Sequence, residues 1–175
     1  MPTMADPRMD ECEELLAAWQ EHRAALRRTL GGLTDEQARS TPSVSTLSLA
    51  SLLTHAVRGE PAWIPVIAGR GADWLQRDGQ AEFEVPAAET VAGLLAEHER
   101  VGAEVAQAVR AVKDFDERVP MPKTPWGPQD EPRTVRWILL HLIGEAARHA
   151  GHADLIRESL DGANAFDLQQ AAPDA

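Results

Sequence analysis

The sequence predicts an all-α protein, a four-helix bundle. Three observations lead there. Apolar residues recur at helical spacing in four segments, near 10–30, 46–68, 88–115 and 133–160. No stretch shows strand-like alternation of any length. Glycine and proline collect between those segments, at Gly31-Gly32, at Pro42, across 69–86 and across 116–132. The 175 residues suit one domain, 1–175, with a sizeable core.

Taken in order, residues 1–8 read as a loose leader. The first helix, 10–30, carries Leu15, Leu16, Trp19, Leu26 and Leu30 with Glu and Arg between them, and Gly31-Gly32 ends it. Residues 33–45 connect; Thr34-Asp35-Glu36 is suited to start a short turn and Pro42 breaks any helix. The second helix, 46–68, presents Leu49, Leu52, Leu53 and Ala56, with His55 beside Leu52 on the apolar side; Pro61 predicts a kink or two helical pieces. Residues 69–86 read as a polar loop. The third helix, 88–115, carries Val91, Leu94, Leu95, Val101, Val105, Val109 and Val112, and its His98, set among Glu97, Glu99 and Arg100, reads as solvated. Residues 116–132 hold six prolines and glycines and form a long irregular connection, the kind that often carries function. The fourth helix, 133–160, stops at Gly162, and the polar tail after it is expected to fray. All three connections are long, so loop length leaves the topology open.

Composition narrows the function. A net charge of -11 argues against nucleic acid or an anionic membrane as partner. The N-terminus has no basic region followed by an apolar run, and no apolar stretch nears the roughly 20 residues of a membrane span. The single Cys12 cannot form an internal disulfide and reads as an inert thiol. A cytoplasmic location is the expectation.

The chemistry concentrates in the fourth helix. His141, Glu145, His149 and His152 follow at spacings of 4, 4 and 3. At about 100° per residue they lie within roughly 80° of one another. Trp137, Ile138, Leu142, Leu155 and Ile156 fall on or beside that stripe, while Arg136, Asp154, Arg157 and Glu158 fall on the other side. Imidazoles and a carboxylate on a core-facing stripe are costly unless paired or metal-bound. Glu145 and His149, one turn apart, can reach one ion. A catalytic site needs a third ligand from another helix, and His55 is the remaining histidine on an apolar face. His141 with Glu145, or His149 with His152, are competing pairs. Satisfied core histidines are the plain structural alternative.

Two segments also carry a family resemblance. LSLASLLTHAVRGEPAW, with His55, then Glu60 five residues on and Trp63 three after it, resembles the second-helix pattern of the DinB-like metalloenzymes. RWILLHLIGEAARHAGHADLIRESLDG, with Glu145 four residues before the first His of His149-x-Gly-His152, looks like the last-helix signature of an actinobacterial branch of that family. The same pattern occurs in the N-terminal domain of mycothiol-dependent maleylpyruvate isomerase. That resemblance implies a divalent metal, zinc or nickel, on His55, Glu145 and His149. It further implies a transferase or isomerase that activates a low-molecular-weight thiol, mycothiol or a similar one, against a small electrophilic substrate. The isomerase has a second domain, and this chain ends about 15 residues after the last predicted helix, so a substrate other than maleylpyruvate is expected. His152 is a candidate to support Glu145 or His149 from behind, Glu60 to support His55, and His141 to line the core or cavity. The contrasting reading is a non-catalytic metal-binding stress or interaction module. Leu139, Leu140 and Ile143 extend apolar surface beyond the ligand stripe and suggest a homodimer.

Overall fold

The computed structural model describes residues 10–75, 77–124 and 131–171. The expected leader, the residues 125–130 of the proline-rich connection and the end of the tail lie outside them. The described chain is helical: α1 (Glu11–Arg28), α2 (Asp35–Arg39), α3 (Leu49–Gly59), a 3-10 turn (Glu60–Trp63), α4 (Ile64–Ile67), a second 3-10 turn (Ala81–Phe83), α5 (Val91–Arg110), α6 (Val135–Asp161) and α7 (Ala165–Ala171). The all-α bundle predicted from periodicity is the fold observed.

Side-chain caps set the starts. Asp10, Thr34, Ser48, Thr90 and Thr134 each accept a hydrogen bond from the backbone N–H three residues on. The second, third and fourth helices therefore begin at Leu49, Val91 and Val135, two or three residues later than their periodicity predicts. Thr34 and Ser48 form reciprocal capping boxes with Gln37 and Ser51. Gly162 ends α6 as expected, at φ 82°. The kink expected at Pro61 is a full break: Pro61 and Pro65 each lack an N–H, and the chain passes from α3 through a 3-10 turn into α4.

Ion pairs reveal the directions of the helices. Arg136 at the start of α6 holds Glu11 at the start of α1, and Arg157 near the end of α6 donates to the carbonyls of Thr29 and Gly31 beyond the end of α1. The two helices run parallel. Arg110 at the end of α5 pairs with Glu13 at the start of α1, so α5 runs antiparallel to α1. Leu49, Leu52 and Leu53 cluster with Leu94, while Trp63 and Val66 beyond the end of α3 cluster with Val101, Val105 and Val109, so α3 and α5 also run parallel. A parallel pair forces the connection between its members back along the bundle. That is why residues 68–90 are long, and it carries them past the face where α3 meets α6.

The two apolar clusters stack end to end: one around Trp19, Val105, Ile138 and Leu142, the other around Leu26, Leu52, Leu53 and Ile156. Each fully buried leucine or isoleucine contributes about 1.5–3 kcal/mol of transfer free energy.

Several expectations need correction. His98 is not solvated; its ring is 0% exposed, between α5 and α1, with both nitrogens lacking a hydrogen-bond partner. Its acidic sequence neighbours had suggested water, but the side chain points the other way. Arg157 is not on the outer face; it is buried, because the carbonyls ending α1 need a donor there. Leu139 is in the core, whereas Trp137 and Leu155 of the expected apolar stripe are exposed. A short antiparallel ladder, β1 (Arg118–Val119) with β2 (Arg133–Thr134), pins the start of α6. At two residues per strand it leaves no alternation to read. The tail forms α7 rather than fraying, lying against α1.

Candidate metal centre

Three expected residues come together. His55 projects from α3; Glu145 and His149 project from α6, one turn apart. One ligand atom from each lies within 4.8 Å of the others. His149 Nε2 is 3.6 Å from Glu145 Oε2, and the His55 and His149 rings meet edge to face with centroids 4.9 Å apart. Ligand atoms about 2.0–2.1 Å from a tetrahedral zinc stand about 3.4 Å apart. A rotamer adjustment of about an ångström would close these three around one ion.

The donor chemistry fits a divalent cation. Both ring nitrogens of His149 and Nδ1 of His55 are sealed from solvent without a hydrogen-bond partner, an arrangement that buried imidazoles seldom leave unresolved. Burial, reinforced by the neighbouring His149, holds His55 below the usual histidine range, so it is neutral. The adjacent His149 holds the Glu145 carboxyl below the usual carboxylate range, against the effect of burial. For His55 and Glu145 these are the forms that bind metal.

The triad opens onto a cavity of about 260 Å³. One wall is aromatic. Trp63 meets Trp74 edge to face at 4.8 Å and His141 at 5.1 Å, and His141 stacks on Trp137. Trp74 comes from the 68–90 crossover, where its N–H donates to the carbonyl of Lys123, so the two long connections brace each other beside the site. The lining also holds a buried ion pair. Arg23 Nε donates to both Glu60 oxygens at 3.2 and 3.0 Å, Nη1 donates to Gln20, and Nη2 to the carbonyl of His98. Burial pushes the Glu60 carboxyl up to about 7, against the pull of Arg23.

The expected supporting residues divide. His141 lines the cavity. Glu60 lines it too, but it pairs with Arg23 rather than with His55, because the 3-10 turn after Gly59 directs it toward α1. His152 does not support Glu145 or His149; its Nε2 lies 2.9 Å from Ser45 Oγ, in the connector before α3. What His55 does meet came from the loop read only as polar. Glu82 Oε2 is 3.4 Å from His55 Nδ1, and the Phe83 ring lies parallel to the His55 ring at 4.2 Å. The one sequence signal was a pair of aromatics, Trp74 and Phe83, in an otherwise polar connection. Cys12 is far from this chemistry, and burial with Glu13 and Asp10 raises its thiol above the usual range.

Fold and site together define a helical bundle of the DinB-like class with a two-histidine, one-carboxylate donor set between its helices. The family model for mycothiol-S-transferase matches residues 14–162, and the chain belongs to that family. Among solved structures it is similar to a conserved protein from Enterococcus faecalis, at 18% identity and a TM-score of 0.68, over 89% of this chain and 99% of that one, a likeness of fold. No curated protein matches it. No helix among the described residues is long and apolar enough to cross a membrane.

Proposed function

We propose that the protein is a metal-dependent transferase or isomerase that brings a low-molecular-weight thiol, mycothiol or a similar one, to an electrophilic small molecule. His55, Glu145 and His149 hold one divalent cation, zinc or nickel, leaving room on the cavity side. Bound there, the cation supplies a Lewis acid that lets a thiol ionise near neutral pH. Glu145 would reduce the net charge of the loaded site from +2 to about +1, which still attracts and favours a thiolate. Trp63 and Trp74 give the electrophile an apolar wall and exclude water from its reacting face. No protein nucleophile is required, in keeping with the raised thiol of Cys12.

The observation that carries this reading is the pair of solvent-sealed His149 ring nitrogens, without hydrogen-bond partners, beside His55, an ionised Glu145 and a cavity. Membership of a family described as mycothiol-S-transferases supports the choice of thiol chemistry. The test combines elemental analysis with an assay of electrophile consumption in the presence and absence of added thiol. About one divalent ion per chain is expected, lost in His149→Ala, with consumption that depends on thiol and metal together. Wild-type protein that takes up no divalent ion sinks the metal reading. Stoichiometric metal without turnover for any thiol and electrophile pair favours the non-catalytic binding module.

A further inference from the structure

Nothing in the donor set explains why the 3-10 turn Ala81–Phe83 is fastened to α3 so firmly. Arg58 Nη1 donates to the carbonyl of Ala81 at 2.5 Å. Arg77 Nη2 reaches the carbonyl of Arg58 at 3.4 Å, and its guanidinium lies over the Trp74 ring. Arg77 also grips Glu82 through Nε and Nη2, both on Oε1 at 2.6 Å. That grip uses one carboxylate oxygen and turns the other, Oε2, toward His55 Nδ1 at 3.4 Å. Among the described residues nothing makes a closer polar contact with that nitrogen, which is sealed from water. Phe83 meanwhile lies flat on the same ring, 2° from parallel.

We propose that Glu82, aimed by Arg77, is a positioning residue that sets the tautomer of His55. A carboxylate accepts but cannot donate. Facing it, the imidazole carries its proton on Nδ1, and the lone pair is on Nε2, the nitrogen not turned toward Glu82 and so the one left to bind an ion shared with Glu145 and His149. In a metal site the nitrogen that binds is chosen by the hydrogen bond the other nitrogen makes. Phe83 fixes the plane of the ring and Glu82 its edge, so the crossover loop orients a ligand that α3 merely carries. The inference rests on the metal reading for its purpose, but its structural content is the tautomer of one side chain.

The experiment measures that tautomer directly. Side-chain nitrogen-15 NMR of the metal-stripped chain reports which His55 nitrogen bears the proton, and competition with a chromophoric chelator gives the zinc Kd. In wild type the proton is expected on Nδ1. In Glu82→Ala it is expected to move to Nε2, and the zinc Kd to weaken by about 10–100-fold. Glu82→Gln, whose amide oxygen can still accept, should keep the Nδ1 proton and most of the affinity. A wild-type His55 protonated on Nε2 overturns the proposal, as does a Glu82→Ala chain with unchanged tautomer and zinc affinity. If wild type binds no zinc, the metal reading fails and the tautomer comparison still decides this one. If Glu82→Ala is poorly folded by circular dichroism, the wild-type and Glu82→Gln spectra decide it.

Discussion

Gly102→Ala should destabilise this protein, although it replaces glycine with alanine in the interior of a helix. Helix propensity alone favours the change by about 1 kcal/mol. Gly102 is buried in α5 where that helix packs on α1, and an added Cβ would stand 2.0 Å from Arg23 Nη1, 2.7 Å from Cζ and 3.0 Å from Nη2. The guanidinium lies flat against the helix and has to move. Arg23 is the flexible partner, but its three nitrogens are bound to Glu60, Gln20 and the His98 carbonyl. Displacing it strands a Glu60 that is only 8% exposed. Breaking a buried pair from one side costs about 3–5 kcal/mol. The lower end applies, because a carboxyl already pushed up to about 7 can take a proton once Arg23 withdraws. The net expectation is a loss of about 2 kcal/mol, or roughly 4–8 °C in Tm for a chain of this size. Thermal melts of wild type, Gly102→Ala, Arg23→Met and the double variant form a cycle. Without the guanidinium, Gly102→Ala should become neutral or stabilising, giving a coupling of about 3 kcal/mol. A raised Tm for Gly102→Ala in wild type, or the same effect in both backgrounds, refutes the reasoning.

Glu145→His should retain a bound divalent ion by offering three histidines, yet alter thiol-dependent turnover by raising the charge of the site by about one unit; loss of metal on inductively coupled plasma analysis counts against this donor set. His98 has a folded pKa of about 2, lowered by burial and then by Arg23 and Arg27, against the ordinary 6.5. Between those values the unfolded chain binds the extra proton, so stability falls as pH falls. Glu60, pushed up to about 7, acts with the opposite sign between 4.5 and 7, so the comparison is with a variant: His98→Leu should lose about 2 kcal/mol less than wild type between pH 6.5 and 4.5 in urea titrations. Equal losses would show that His98 is not the group responsible. For the expected homodimer, the structure leaves Leu140 at 53% and Trp137 at 38% exposure on α6, while Leu139 is withdrawn into the core. Leu140→Glu should then convert a dimer to monomer in sedimentation, and a wild-type chain that is monomeric at tens of micromolar excludes that interface.

The legible parts were those that a single helix encodes. The spacing of Glu145 and His149 puts both on one side of any helix, whatever surrounds it, and the apolar neighbours of His55 mark the inner side of α3. Caps and breaks are equally local: Thr134, Gly162 and Pro61 act on the backbone beside them. His98 was misread because its neighbours in sequence are charged, whereas its surroundings in space are the packed faces of α5 and α1. The role of Glu60 could not be read locally, because its partner Arg23 lies 37 residues away. Glu82 has its arginine, Arg77, nearby in sequence, but the His55 that it faces belongs to another element.

By itself the sequence determined the helices and the one-turn spacing of Glu145 and His149, because helical periodicity and side-chain chemistry act over a few residues; His55 as their third partner was implied by the family resemblance. Only the tertiary structure decided which way the helices run. The parallel pairing of α3 with α5 requires a connection that travels the length of the bundle, and that connection brings Trp74, Arg77, Glu82 and Phe83 to His55. The free energy that selects this path comes from burying two apolar clusters against one another, a sum over contacts between residues far apart in the chain, to which no local pattern corresponds.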